Sequence, residues 1–223
     1  MTAPEPGQHA LGLGSSRDGF IRVPQGHRPE VAAPLALLLH GAGGSAQDWQ
    51  GAFPIFDELG LIMLAVDSRV ASWDVLYGGF GPDVRFIDSA LARTFERCSV
   101  DASRVAIAGF SDGASYALSL GLTNGDLFTH VLGFSPGFVS TDGRRGRPPV
   151  FLSHGSSDEV LPVSFTRDLA AILEGQGHQV VYEEFDGGHV LPYAVGRQGF
   201  RWLVEPASAS HVLTDAIAPI PEP

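Results

Sequence analysis

A single cysteine, Cys98, occurs in 223 residues, which excludes an intrachain disulfide framework and a multi-cysteine zinc site. Basic residues are also scarce, with 14 Lys plus Arg against 25 Asp plus Glu and a formal net charge of −11. That balance argues against nucleic acid or an anionic membrane as partner, because both are held by basic patches. No stretch approaches the ~18 consecutive apolar residues of a membrane span. The first ten residues lack the basic-then-apolar order of a secretory leader. The eight histidines are dispersed without metal-ligand spacing, so no metal is expected. These exclusions leave a cytoplasmic protein, monomer or homodimer, with a small molecule as its partner.

What is present is a globular composition, 44% hydrophobic and 17% charged, long enough for one domain with a substantial core. Residues 1–16 are rich in Pro, Gly and Ser and read as a flexible lead-in, residues 17–205 as the domain, and residues 206–223 as a tail. Within the domain, apolar runs at Phe20–Val23, Leu35–Leu39, Leu61–Val66, Val105–Ala108, Val131–Phe134, Val150–Ser153 and Gln179–Phe185 give about seven strands. Helical patterns alternate with them over Ala46–Leu59 (interrupted by Pro54), from Pro82, after Ser111, over Ser164–Glu174 and over Tyr193–Leu203. Alternation of this kind predicts an α/β fold with a mostly parallel sheet, since parallel neighbours require a crossover and the crossover covers the sheet. No segment is long enough to form a cap domain. Cys98 falls near a helix end and reads as a plain thiol.

The chain is organised around Gly109-Phe110-Ser111-Asp112-Gly113, a G-x-S-x-G between a strand-like run and an Ala/Ser/Leu-rich helical segment. A strand that turns straight into a helix strains the residue at the corner and leaves room only for near-bare neighbours two positions away. Ser111 is thereby pushed out beyond the strand, close to a helix N-terminus where developing negative charge is favoured.

A serine hydroxyl needs a base and a carboxylate to orient that base. In an open α/β sheet, function gathers beyond the carboxyl ends of the strands, so the loops that follow apolar runs supply the candidates. His189, in Asp186-Gly187-Gly188-His189, is the expected base, and Asp158, in His154-Gly155-Ser156-Ser157-Asp158, the expected carboxylate. Asp186 and Glu159 are the other carboxylates in reach, while His40 and His154 are expected to brace loops and Asp67 to order its own. Acyl transfer also requires an oxyanion hole. The Asp112 amide supplies one donor, and Ala42 in the loop His40-Gly41-Ala42-Gly43-Gly44 the other, with Gly43 as second choice.

Together, His40-Gly41-Ala42-Gly43, Gly109–Gly113, His154–Pro162 and Gly187-Gly188-His189 resemble the α/β-hydrolase fold. Within it they are similar to the phospholipase/carboxylesterase branch, related to acyl-protein thioesterases and polyhydroxybutyrate-depolymerase-like esterases. The resemblance spans roughly residues 18–204 and implies helices on both faces of the sheet and a serine esterase without metal or organic cofactor. One departure is Asp112, where such relatives often carry Gln, Ala or Met. Another is the Gly/Arg/Pro loop at 140–149.

Trp73, Tyr77 and Phe80 in the loop 70–82, with Trp49 and Leu191, are the candidate lining of an acyl or alcohol pocket. Packing of the loop aromatics onto the body is the competing expectation. Without a cap, an open site for small or short-acyl esters is expected. Thioesters, lysophospholipids and feruloyl-type esters are alternatives on the same three residues. A non-catalytic binding protein of the same fold is the alternative outside enzymes.

Overall fold

Residues 4–14, 16–141 and 143–205 are described by a computed structural model. Among these residues, eight strands form one sheet: β1 (Gly7–Ala10), β2 (Gly19–Val23), β3 (Ala33–Leu39), β4 (Ile62–Val66), β5 (Val100–Phe110), β6 (His130–Phe134), β7 (Val150–Gly155) and β8 (Val180–Phe185). Their order is β1-β2-β4-β3-β5-β6-β7-β8. The two pairings at the β1 end are antiparallel, and every pairing from β4 to β8 is parallel.

Strands β3 and β4 are buried along their whole length, as expected where helices cover both faces of a parallel sheet. Alternate residues of these runs feed two separate cores. Leu35, Leu37, Leu39, Leu64, Ile107 and Val131 point to one face. Ala36, Leu38, Met63, Ala65, Ala108 and Leu132 point to the other. The first face is covered by α2 (Pro82–Arg97), α3 (Asp112–Thr123) and α4 (Val163–Gly175). The second is covered by α1 (Phe53–Leu59) and α5 (Tyr193–Val204), with Phe56 and Phe200 stacked edge-on at 4.8 Å. Each large apolar side chain buried there contributes about 1.5–3 kcal/mol.

Two sequence expectations change. The strand count rises from about seven to eight, because residues 7–10, expected to be part of a flexible lead-in, pair with β2 in the register Gly7↔Val23 to Ala10↔Phe20. The signal was missed because Gly-Gln-His-Ala carries no apolar alternation, and a half-exposed edge strand needs none. The helix over 46–59 is in fact two pieces, a 3-10 segment Ala46–Ala52 and then α1, with Pro54 in its first turn, where a missing N–H costs nothing. The expected tail, 206–223, lies outside the described residues. Cys98 ends α2 through its backbone amide, which donates to the Thr94 carbonyl at 2.8 Å, and its thiol is buried.

Candidate active site

Ser111 stands at the turn from β5 into α3 with φ 56° and ψ −123°. Positive φ is costly for a residue with a side chain and persists only where the surroundings enforce it. Here the Ser111 amide donates to the Phe134 carbonyl at 2.9 Å, and its own carbonyl accepts from Ala114 and Ser115 at 2.9 and 3.1 Å. A methyl group on Gly109 would collide with the Gly113 carbonyl, and one on Gly113 with the Leu39 and His40 carbonyls. The two glycines are therefore a packing requirement of the corner.

His189 and Asp158 come from the loops after β8 and β7, and the backbone locks those loops together. Ser156 N–H donates to the Phe185 carbonyl at 2.8 Å and Ser157 N–H to the Gly187 carbonyl at 2.9 Å. A side chain at Gly155 would strike the Gly187 and Gly188 carbonyls. Within this frame Asp158 Oδ2 lies 2.7 Å from His189 Nδ1, and His189 Nε2 lies 2.9 Å from Ser111 Oγ. The carboxylate acceptor assigns the ring proton to Nδ1 and leaves Nε2 to accept from the serine. Phe110 packs against the imidazole at 4.9 Å. The Asp158 side chain is buried. Burial alone would push its carboxyl up, but the amides of Leu161 and Val160 and the His189 ring together hold it below the usual carboxylate range. The alternative carboxylates Asp186 and Glu159 are both solvent-exposed.

The glycine loop after β3 is fixed from three sides. His40 Nδ1–H donates to the Gly41 carbonyl at 2.7 Å, and His40 Nε2 accepts from the Ser68 amide at 3.0 Å. Burial, reinforced by the nearby Arg17 guanidinium, lowers the His40 pKa below its ordinary value, so the ring is neutral at neutral pH. Arg17 also donates to the Gly44 carbonyl at 2.9 Å and, through Nε, to the Ser68 carbonyl at 2.5 Å. Gly43 donates its amide to the Ala71 carbonyl at 2.7 Å, so the second-choice oxyanion donor is already engaged. Among the described residues, the Ala42 and Asp112 amides have no hydrogen-bond partner. Asp112 opens α3, where the first N–H groups lack intrahelical partners, and its carboxylate accepts from Ser72 Oγ at 2.7 Å.

The aromatic residues divide. Trp49 and Leu191 line a cavity of about 270 Å³ that opens beside His40, Gly41 and Phe110 and extends between Ile55, Tyr193 and Phe200. Trp73 does not line it. Its ring is fully buried, stacked on Tyr116 at 5.1 Å, with its indole N–H donating to the His40 carbonyl at 2.9 Å. Phe80 also packs on Tyr116, at 5.6 Å, and Tyr77 is exposed on the loop surface, away from the cavity lining. Trp73 and Phe80 follow the competing expectation and pack onto the body, while Tyr77 follows neither, since it is exposed and does not line the cavity. Phe110, Ile55, Tyr193 and Phe200 were missed. Of these, only Phe110, beside the serine at a strand end, carried a positional signal in the sequence.

Among the described residues no cluster of three or more His, Cys, Asp or Glu side chains has the arrangement to hold a metal ion. No described helix is long and apolar enough to cross a membrane.

Sheet order, crossovers on both faces and the strained serine corner define an α/β-hydrolase. The Staphylococcus aureus S-formylglutathione hydrolase FrmB superposes with a TM-score of 0.72 at 15% identity, covering 92% of this chain and 100% of that one. A Bacillus cereus carboxylesterase gives 0.67 at 20% identity, covering 85% and 94%. In sequence, the model of the phospholipase/carboxylesterase family matches residues 84–194. Acyl-protein thioesterase 1 of Gibberella zeae is 30% identical over 97 residues, 39% of this chain and 41% of that protein. The chain spans about two fifths of the length of the curated relatives it matches (41%). The chain has the α/β-hydrolase fold and is similar to the phospholipase/carboxylesterase family over residues 84–194.

Proposed function

We propose that the protein is a serine carboxylesterase that hydrolyses small or short-acyl esters through an acyl-enzyme. The observation that carries this reading is the unbroken chain from Asp158 through His189 to Ser111, with links of 2.7 and 2.9 Å.

In the first half-reaction Ser111 Oγ attacks the ester carbonyl while its proton passes to His189 Nε2. The carbonyl oxygen becomes an oxyanion facing the Ala42 and Asp112 amides. Collapse of the tetrahedral adduct breaks the ester C–O bond, and the departing alkoxide takes the proton from His189. Water then enters with His189 as base and releases the carboxylic acid, restoring the Ser111 hydroxyl. Asp158 remains ionised throughout, holding the ring's orientation and stabilising its cationic form.

The cavity beside Gly41 and Phe110 is the natural acyl or alcohol site. At about 270 Å³ it lies just below the usual range of roughly 300–1,000 Å³ for small-molecule pockets, which favours short chains. A series of p-nitrophenyl esters from acetyl to palmitoyl tests this reading. Activity should peak among the short esters and vanish in Ser111→Ala. Activity rising steadily toward palmitoyl would contradict the short-acyl assignment. Failure of a fluorophosphonate to label Ser111 would contradict the mechanism. The resemblance to an acyl-protein thioesterase favours thioesters as the second reading. Matched oxo- and thioesters of one acyl group decide between the two.

A further inference from the structure

We propose that His154 is a positioning residue of this site, acting on His189 through the Asp158 carboxylate. The inference rests on the serine-esterase reading. His154 lies in β7, four residues before Asp158, and both side chains are fully buried. Its Nε2 is 3.1 Å from Asp158 Oδ2 and 3.0 Å from the Leu161 carbonyl. Both neighbours are acceptors, so the proton of the neutral ring must sit on Nε2. Nδ1 is then an acceptor, and the Thr166 hydroxyl, fully buried on α4, donates to it at 2.7 Å. Rotation of the ring would leave buried polar groups unpaired on two sides, at a cost well above that of an exposed hydrogen bond. The ring is therefore held at a fixed angle between α4 and the turn 158–161.

Asp158 is thus approached by two imidazoles on one oxygen. Oδ1 is occupied by the Val160 and Leu161 amides at 2.8 and 2.9 Å, and Oδ2 faces both His189 and His154. Two consequences follow from removing the His154 N–H. The Leu161 carbonyl loses its donor, which loosens the turn that aims the carboxylate. The charge on Oδ2 also falls more fully on His189, so that ring keeps its proton to higher pH. The other charged group opposite His154 is Glu184, its register partner in β8, which Arg167 and the Tyr182 hydroxyl already engage. That outer cluster does not reach the serine.

The test compares His154→Leu, which removes the donor, with His154→Gln, which keeps one near the Nε2 position, on p-nitrophenyl acetate from pH 5 to 9. In the leucine variant kcat should fall by about tenfold or more with KM within about twofold. Its acid limb should move up by about half a pH unit. Glutamine should restore most of the rate. Wild-type kcat and acid limb in the leucine variant overturn the proposal, as does equal loss in both variants with an unmoved limb. Should leucine at 154 not fold, the near-isosteric Thr166→Val decides: a lower kcat at unchanged KM is expected, and wild-type kinetics overturn the proposal. If the wild-type protein proves inert to esters and to fluorophosphonates, the esterase reading fails. The His189 imidazole titration, followed by NMR in wild type, His154→Leu and Thr166→Val, then still separates the two ideas. A titration identical in all three overturns the role of His154.

Discussion

The Trp73 indole N–H meets the His40 carbonyl at 2.9 Å, joining the long loop after β4 to the strand end that carries the Ala42 amide. Gly43 and Ala71 make a second joint at 2.7 Å. The glycine loop after β3 is held by a neighbouring loop as well as by its own glycines.

Trp73→Phe should therefore act as a structural lesion with a kinetic echo. Loss of the indole donor leaves a buried carbonyl unpaired and should cost about 1–3 kcal/mol, read as a lower urea midpoint. Turnover should drop while the preferred acyl length stays put. A changed acyl preference would return Trp73 to the pocket.

Gly196 lines the cavity, and the nearest atoms a Cβ there would meet are Leu191 side-chain carbons at 3.8–3.9 Å. Gly196→Val narrows the space without a backbone clash. The ratio of hexanoyl to acetyl kcat/KM should fall by about tenfold or more, the scale of a methylene or two in an apolar pocket. Leu191→Ala should move the preference toward longer chains. Unchanged profiles in both variants would place the substrate elsewhere.

Asp158→Asn keeps the shape and loses the charge that fixes the His189 tautomer. Turnover should fall by about a thousandfold or more. Asp186→Asn and Glu159→Gln, both at exposed positions, should remain within about twofold of wild type. A fall in one of those with Asp158→Asn active would reassign the carboxylate.

Two histidines couple stability to pH. Burial lowers the pKa of His40 and, helped by Arg104, that of His130. A histidine whose folded pKa is depressed binds fewer protons folded than unfolded, so its contribution is present above about pH 6.5 and declines as the pH falls through and below that value. The urea midpoint should drop between pH 7.5 and 5, and the drop should be shallower in His130→Gln, which changes the first residue of β6, at the opposite end of the strands from the Ser111 corner. A midpoint independent of pH in the wild type would contradict the assignment.

Much of this site was legible because its chemistry sits where strands end. Ser111 and Asp158 follow buried apolar runs and His189 follows the half-exposed edge strand β8, and a parallel sheet delivers the ends of all three to one edge. What escaped reading depends on side-chain direction. Nothing in the string Val-Ala-Ser-Trp reveals that Trp73 points inward onto Tyr116, or that Ile55 and Phe200, separated by 145 positions, face one cavity. The loop amides followed the same division. Ala42 and Gly43 are adjacent glycine-loop residues, and only the fold assigns the Gly43 amide to Ala71.

Arg17 gives the amino-terminal stretch an unexpected weight. Its guanidinium clasps carbonyls at Ser68 and Gly44, so a shortened version starting at residue 18 would keep most of the sheet yet lose a pin from the serine's neighbourhood. Since the same cut also removes β1 and the buried Leu11, Arg17→Met is the milder lesion: it should leave the fold intact and slow ester turnover, so that the opening residues act on the serine's surroundings from outside them.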